Sequence, residues 1–165
     1  MPTNQVLNPS FENWVGGTIV ADNWTSFTQS GTPVFGRASV NRYDGSYSQY
    51  WKRDDTAAFT GGVYQRVPVT PGVNYTITAK MKRQSVFGGT AIAFGYDLSG
   101  GTSSTAGTVV YTDVTGTDNT WNSYTANATA TGGFITLFAR GGHTATTGDV
   151  SAYFYVDAVT MQQVP

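Results

Sequence analysis

Apolar residues in this chain recur at every second position, and the three-to-four spacing of an amphipathic helix is missing. In the clearest run, from Val73 to Lys82, Tyr75, Ile77, Ala79 and Met81 share one face while Thr76, Thr78, Lys80 and Lys82 share the other. Such a segment is a strand with one face in a core and one in water. Similar runs occupy 34–40, 47–52, 63–69, 91–96, 108–114, 121–128, 134–140 and 153–161. Between them stand Asp44-Gly45, Gly61-Gly62, Pro71-Gly72, Gly88-Gly89, Gly100-Gly101, Gly132-Gly133 and Gly141-Gly142, which supply a positive φ or a preset bend. Short strands punctuated this regularly, with no capped helical stripe and no fixed repeat, predict an all-β sandwich or jelly roll. The 165 residues form one domain, 1–165, with room for a core and none for a second folding unit. The Gly/Ser/Thr tract from Ser99 to Gly107 reads as a mobile loop inside that domain.

Composition narrows the partners. Charged residues make up 12% of the chain and the formal net charge is -1, so there is no basic field to hold nucleic acid or an anionic membrane. No stretch approaches the roughly 20 apolar residues of a membrane span. Cysteine is absent, which removes disulfides, thiol chemistry and thiolate metal sites. Met1-Pro2-Thr3-Asn4 lacks the basic and apolar segments of a signal peptide, and Gln163-Val164-Pro165 follows directly on a strand-like run. Both ends suit a module excised from a larger protein. Hydrolysis finds few residues to use: Glu12 is the only glutamate, His143 the only histidine, and Asp54-Asp55 is an adjacent pair in a polar turn. Catalysis is not expected.

Four segments resemble, in order, the carbohydrate-binding modules of families four, nine and sixteen. They are Leu7-Asn8-Pro9-Ser10-Phe11-Glu12, Gly45-Ser46-Tyr47-Ser48, the run from Pro71 to Ala79, and Tyr155-Val156-Asp157-Ala158-Val159. Together they span nearly the whole chain. The resemblance implies a jelly-roll β-sandwich of two antiparallel sheets, a non-catalytic, monomeric, extracellular module appended to a larger secreted protein, that recognises a poly- or oligosaccharide on a concave sheet face or a loop rim. It also implies a structural calcium held by Glu12 and Asp157, with backbone carbonyls around Ser10 and in the 43–48 segment completing the shell. Hard oxygen ligands suit that ion. Modules of this type also occur in phage tails, adhesins and surface arrays, so a receptor- or protein-binding role is the alternative.

Aromatic residues reach 14% of the chain and are the candidate sugar platforms, because pyranose C–H faces stack on aromatic rings. Trp24 matches a position that forms part of the platform in some related modules, with core packing as the other reading. Trp51 stands where relatives carry an aliphatic residue, beside Lys52 and Arg53. Trp14 and Trp121 have structural explanations, so Trp24 and Trp51 are the expected stacking rings. Polar contacts are expected from Lys82, Gln84 and Arg140 on faces turned away from the core. Where related modules carry an amide and a Trp, this chain has Gly95 with Tyr96 and Ala139 with Arg140, which adds Tyr96 and leaves the ligand open. Small Ala91, Ala93 and Gly95 on one face are suited to a groove floor.

Overall fold

Among the described residues ten strands form, and the alternation predicts nine of them. They are β1 (Thr25–Ser30), β2 (Val34–Ala38), β3 (Ser48–Arg53), β4 (Phe59–Pro68), β5 (Asn74–Ser85), β6 (Thr90–Asp97), β7 (Val109–Asp113), β8 (Asn122–Thr129), β9 (Phe134–His143) and β10 (Ala152–Gln163). The computed structural model describes residues 3–85, 90–144 and 151–165, so the Gly88-Gly89 turn lies outside the described residues. Strand β1 escapes the pattern because it is a polar edge strand, Thr-Ser-Phe-Thr-Gln-Ser, with no buried face to impose alternation.

The strands make two five-stranded antiparallel sheets packed as a jelly-roll sandwich. The first runs β1-β4-β9-β6-β7 and the second β2-β3-β10-β5-β8. Tyr75, Ile77, Ala79 and Met81 are buried on the inner face of β5, as their spacing predicts. Opposite them Val63, Val67, Phe94, Ile135 and Leu137 fill the inner face of the first sheet.

Two of the glycine pairs read as turns lie inside strands. Gly61-Gly62 belongs to β4 and Gly141-Gly142 to β9. The reason is steric. The Phe154 ring occupies the space a Gly141 side chain would need, and a Cβ on Gly62 would come within 2.9 Å of the Phe27 ring. Pro71-Gly72 is a true turn, with φ +80 at Gly72.

Trp51 sits in the middle of the core and is fully buried. It stacks on Phe154 at a centroid distance of 6.0 Å, and its Nε1 donates to Gly141 O at 3.2 Å in the facing sheet. Trp24 is 6% exposed, stacks on Phe11 at 4.7 Å, and donates from Nε1 to Asn8 O at 3.2 Å. Buried amides tie the opening segment down: Gln65 exchanges two hydrogen bonds with the Leu7 backbone, both 2.8 Å, and Gln49 Oε1 accepts from Ala21 N at 2.9 Å. The chain ends lie side by side, with Asn4 bridged to Gln162 and Gln5 N donating to Met161 O at 2.9 Å.

Replacing a fully buried tryptophan removes packing on every side. Trp51→Ala is therefore expected to cost about 3–5 kcal/mol in a urea unfolding series. A loss under about 0.5 kcal/mol, typical of surface sites, would show that the ring is not in the core.

Candidate functional site

The outer face of the first sheet carries the most developed site, and strand register explains its shape. Across β1, β4, β9 and β6 one row reads Phe27, Gly62, Arg140, Ala93, and the next row along reads Thr60, Gly142, Ala91 across β4, β9 and β6. Small neighbours on both sides of β9 leave a notch. The neighbouring row, Tyr64, Phe138, Gly95, Tyr111, is the reverse, with rings at three of its positions. Phe138 has no exposed surface although it points away from the core, because Phe27, Tyr64 and Tyr111 pack around it at centroid distances of 5.9, 5.6 and 6.2 Å. A Cβ at Gly95 would lie 2.7 Å from the Tyr111 ring, so Tyr111 rests on that glycine. Phe27 covers Gly62 in the same way.

Gln29, Thr60, Ala91, Arg140, Gly142, His143 and Thr144 line a pocket of about 280 Å³ in the notch. The Arg140 guanidinium carbon lies 3.7 Å from the Tyr111 ring centroid. Burial pushes the Tyr111 phenol up to about 12 while the Arg140 charge pulls it down, so its hydroxyl stays protonated and donates to Ser104 O at 3.0 Å. Gln29 Nε2 donates to Ser104 O and Oγ at 3.0 and 3.2 Å. These bonds fasten the 98–108 connection against the pocket wall.

That tract, expected as a mobile loop, is tied at its base as well. Asp97 Oδ1 accepts Ser99 N at 2.8 Å and Ser99 Oγ at 2.7 Å, and Oδ2 accepts Thr108 Oγ1 at 3.0 Å. Burial alone would raise the Asp97 carboxyl. The Ser99, Thr108 and Gly101 donors outweigh it and hold the group below its ordinary value of 3.8.

The residues expected to contact sugar divide among three places. Arg140 lines the pocket, and Ala91 is in its floor as anticipated. Trp24 and Trp51 are core residues, so the expectation of two exposed stacking rings is corrected: neither ring presents a face to solvent. Tyr96 is also turned inward, since it shares a face with Ile92 and Phe94 and packs against the core. Lys82 and Gln84 lie on the outer face of the second sheet, on the far side of the sandwich from Arg140. There Lys82 Nζ donates to Asn41 Oδ1 at 2.9 Å and Gln84 Oε1 accepts from the Tyr155 hydroxyl at 3.3 Å. Trp121, read as structural, is half-buried on that face in a chain of rings with Tyr43, Tyr155 and Tyr153. The site rings Phe27, Tyr64 and Tyr111 carry no signal in a single sequence, because their role depends on which glycines stand opposite them.

Glu12, Asp157 and Ser10 meet on the 42–47 loop. Glu12 Oε1 accepts the amides of Ser46 and Tyr47, each at 2.9 Å. Asp157 Oδ2 accepts those of Tyr43 and Asp44 at 2.7 and 3.0 Å, its Oδ1 accepts that of Ala158 at 2.7 Å, and Ser10 Oγ donates to Asp44 Oδ2 at 3.0 Å. Burial pushes the Asp157 carboxyl up to about 6 against the pull of those amides, with Asp44 adding like charge. No side-chain cation pairs with Glu12, Asp44 or Asp157 among the described residues. Carboxylate oxygens are the hard donors calcium takes, but five backbone amides already donate to Glu12 Oε1 and to both Asp157 oxygens. No three acidic or imidazole groups among the described residues converge as a metal cluster, so carbonyls would have to supply much of a shell.

No protein-family model matches the sequence, and no curated protein sequence matches it. Solved structures do share the fold. The carbohydrate-binding module TmCBM61, solved in complex with β-1,4-galactotriose, is 18% identical with a TM-score of 0.62, over 98% of this chain and 99% of that one. The CBM22-1 xylan-binding domain of Xyn10C from Paenibacillus barcinonensis is 18% identical with a TM-score of 0.56, over 94% of this chain and 91% of that one. The enzymatically active domain of bacteriophage CBA120 tailspike protein 4 is 15% identical with a TM-score of 0.62, over 98% of this chain but 21% of the tailspike chain. The chain therefore has the β-sandwich fold of carbohydrate-binding modules.

The Asp97 ties have a pH signature. A carboxylate held below its unfolded value stabilises the fold above that value, and the gain is lost as pH falls through the folded one. Urea midpoints at about pH 6 and about pH 3 should show Asp97→Asn less stable than the parent at the higher pH, with the gap narrowing at the lower. A gap that widens in acid would contradict the assignment.

Proposed function

We propose that this protein is a non-catalytic module that binds a poly- or oligosaccharide on the outer face of its first sheet. The observation that carries the reading is the notch around Arg140, Ala91 and Gly142, with Phe27 beyond Gly62 in the Arg140 row and Tyr64 and Tyr111 in the row beside it. Gln29, Thr60 and Arg140 offer polar atoms to the hydroxyls of a sugar in the notch, and the rings beside it suit the apolar faces of neighbouring sugars in a chain. Fold neighbours solved with galactotriose or described as xylan-binding support the reading. The setting that goes with it is extracellular, with the module appended to a larger secreted protein. The likeness to a phage tailspike domain favours one second reading, a receptor-binding role on the same scaffold, in which the groove would meet a cell-surface glycan or protein.

Affinity electrophoresis against a panel of plant and microbial polysaccharides tests this directly. Ala91 is exposed in the pocket floor, so Ala91→Trp should fill the pocket, abolish retardation and leave the thermal melt unchanged. Tyr64→Ala should weaken binding by about 2 kcal/mol, the loss of one stacking ring. Retardation that survives Ala91→Trp would move the site elsewhere.

The proposal includes a structural calcium at Glu12 and Asp157, with Ser10 and the 43–48 backbone beside it. The ion would supply a positive charge to Glu12 and Asp157, neither of which has a side-chain cation partner among the described residues. Because a ligand of the native state stabilises by mass action, saturating calcium should add about 3 kcal/mol at a hundred times its dissociation constant. Chelation should then lower the melting temperature by roughly 5–10 °C, and Glu12→Gln should remove the response. An identical melt in excess chelator after metal-free refolding would eliminate the ion.

A further inference from the structure

The pocket around Arg140 has a charge imbalance that a neutral sugar would leave unanswered. Arg140 stands on the central strand of the sheet, half-buried, with Gly62 and Ala93 as its cross-strand neighbours. Its guanidinium lies over the Tyr111 ring, 3.7 Å from the centroid, which fixes the plane of the fork. It makes no hydrogen bond and no ion pair among the described residues. The ion pairs found there are Lys52 with Asp54, Arg53 with Asp55, and Arg83 with Asp118, and none of these residues lines the pocket.

Among the described residues the remaining lining adds acceptors and donors for hydroxyls but no negative charge, and Asp113, the carboxylate in the Arg140 row, stands on β7 beyond Ala93 and makes no ion pair. Gln29 Nε2 is engaged by Ser104, which leaves its Oε1 to accept. Thr60 and Thr144 bring hydroxyl groups, and the buried His143 leaves Nε2 without a partner among the described residues. A guanidinium presents its N–H groups in a planar fork that matches a carboxylate with two parallel bonds. At about 280 Å³ the pocket is at the small end of the roughly 300–1,000 Å³ usual for ligand sites, which suits one sugar ring.

We infer that the sugar residue bound in this pocket carries a carboxylate, so that the polysaccharide recognised is a uronic-acid polymer, with Arg140 taking the carboxylate and Tyr111 holding Arg140 in place. The inference rests on the proposed glycan-binding role of this face. The hydroxyls of the same sugar meet Gln29 and Thr60. The carboxylate is what adds selection among glycans.

The test uses the whole chain in affinity electrophoresis on polygalacturonate, alginate and glucuronoxylan, each beside its carboxyl-reduced counterpart, with neutral galactan and xylan alongside. At least one acidic polymer should bind ten-fold or more tightly than its reduced form. Arg140→Gln should abolish that difference with an unchanged melt, and Arg140→Lys should restore only part of it, because an ammonium cannot form the paired bonds. Lys80→Gln, on the opposite face, should leave the difference intact and so exclude general attraction to a polyanion. Equal binding of native and reduced polymers, or an acid preference that survives Arg140→Gln, would overturn the inference. Binding of neutral polymers alone, lost in Ala91→Trp, would overturn it while leaving the glycan-binding role standing. No retention on any polymer would overturn both.

Discussion

The packing of Trp51 against Phe154 and Gly141 determines what the first sheet can present to solvent. Trp51 belongs to β3 of the second sheet, yet its indole N–H reaches the Gly141 carbonyl on β9 of the first. The Phe154 ring fills the place of a side chain at Gly141, so this glycine must face inward. Strand geometry does the rest, because inward Gly141 forces Arg140 and Gly142 outward. A one-residue slip of β9 would bury the guanidinium and drive the glycine out into water. The pocket is therefore a consequence of inter-sheet packing, and its central residue is set by the residue that follows it.

The two outer faces are built by different rules. On the first sheet, rings from β1, β4 and β7 lean over glycines and over Phe138, and a gap remains beside them. On the second, rings and lysines satisfy one another: Lys82 lies 6.0 Å from the Tyr155 ring centroid, Lys80 4.7 Å from that of Tyr43, and Lys52 pairs with both Asp54 and Tyr153. A surface whose polar atoms already have partners offers little to an incoming hydroxyl. This contrast is why Arg140 and Lys82, which look alike in the sequence, differ in what they leave available.

Much of the fold was legible because period-two alternation is a local property. Nine strands follow from it, and the tenth, β1, lacks the buried face that would have marked it. The glycine pairs at 61–62 and 141–142 look like turns because a glycine needed for clearance is the same in sequence as one needed for positive φ. Trp51 looks like a surface ring for a related reason. In β3 the outward Tyr50 and Lys52 alternate with the inward Gln49 and Trp51, so both faces carry an aromatic residue and polarity does not separate them. Gln49 is buried but fully bonded, which no count of apolar residues reveals. Ala91 and Arg140 are legible because alternation places a small residue and a long polar one on the faces turned away from the core. Tyr64 and Tyr111 needed the register.

The antiparallel bridge between Asn4 and Gln162 brings the two ends of the described chain together on the second sheet, away from the pocket. Its consequence is topological freedom. A short linker across that gap would close the backbone into a ring, and the exposed Pro71-Gly72 turn between β4 and β5 offers a place to open it again. In the rearranged chain β5 would come first and β4 last. Every row of the groove would keep its neighbours, because none of its residues lies at the old junction or the new one.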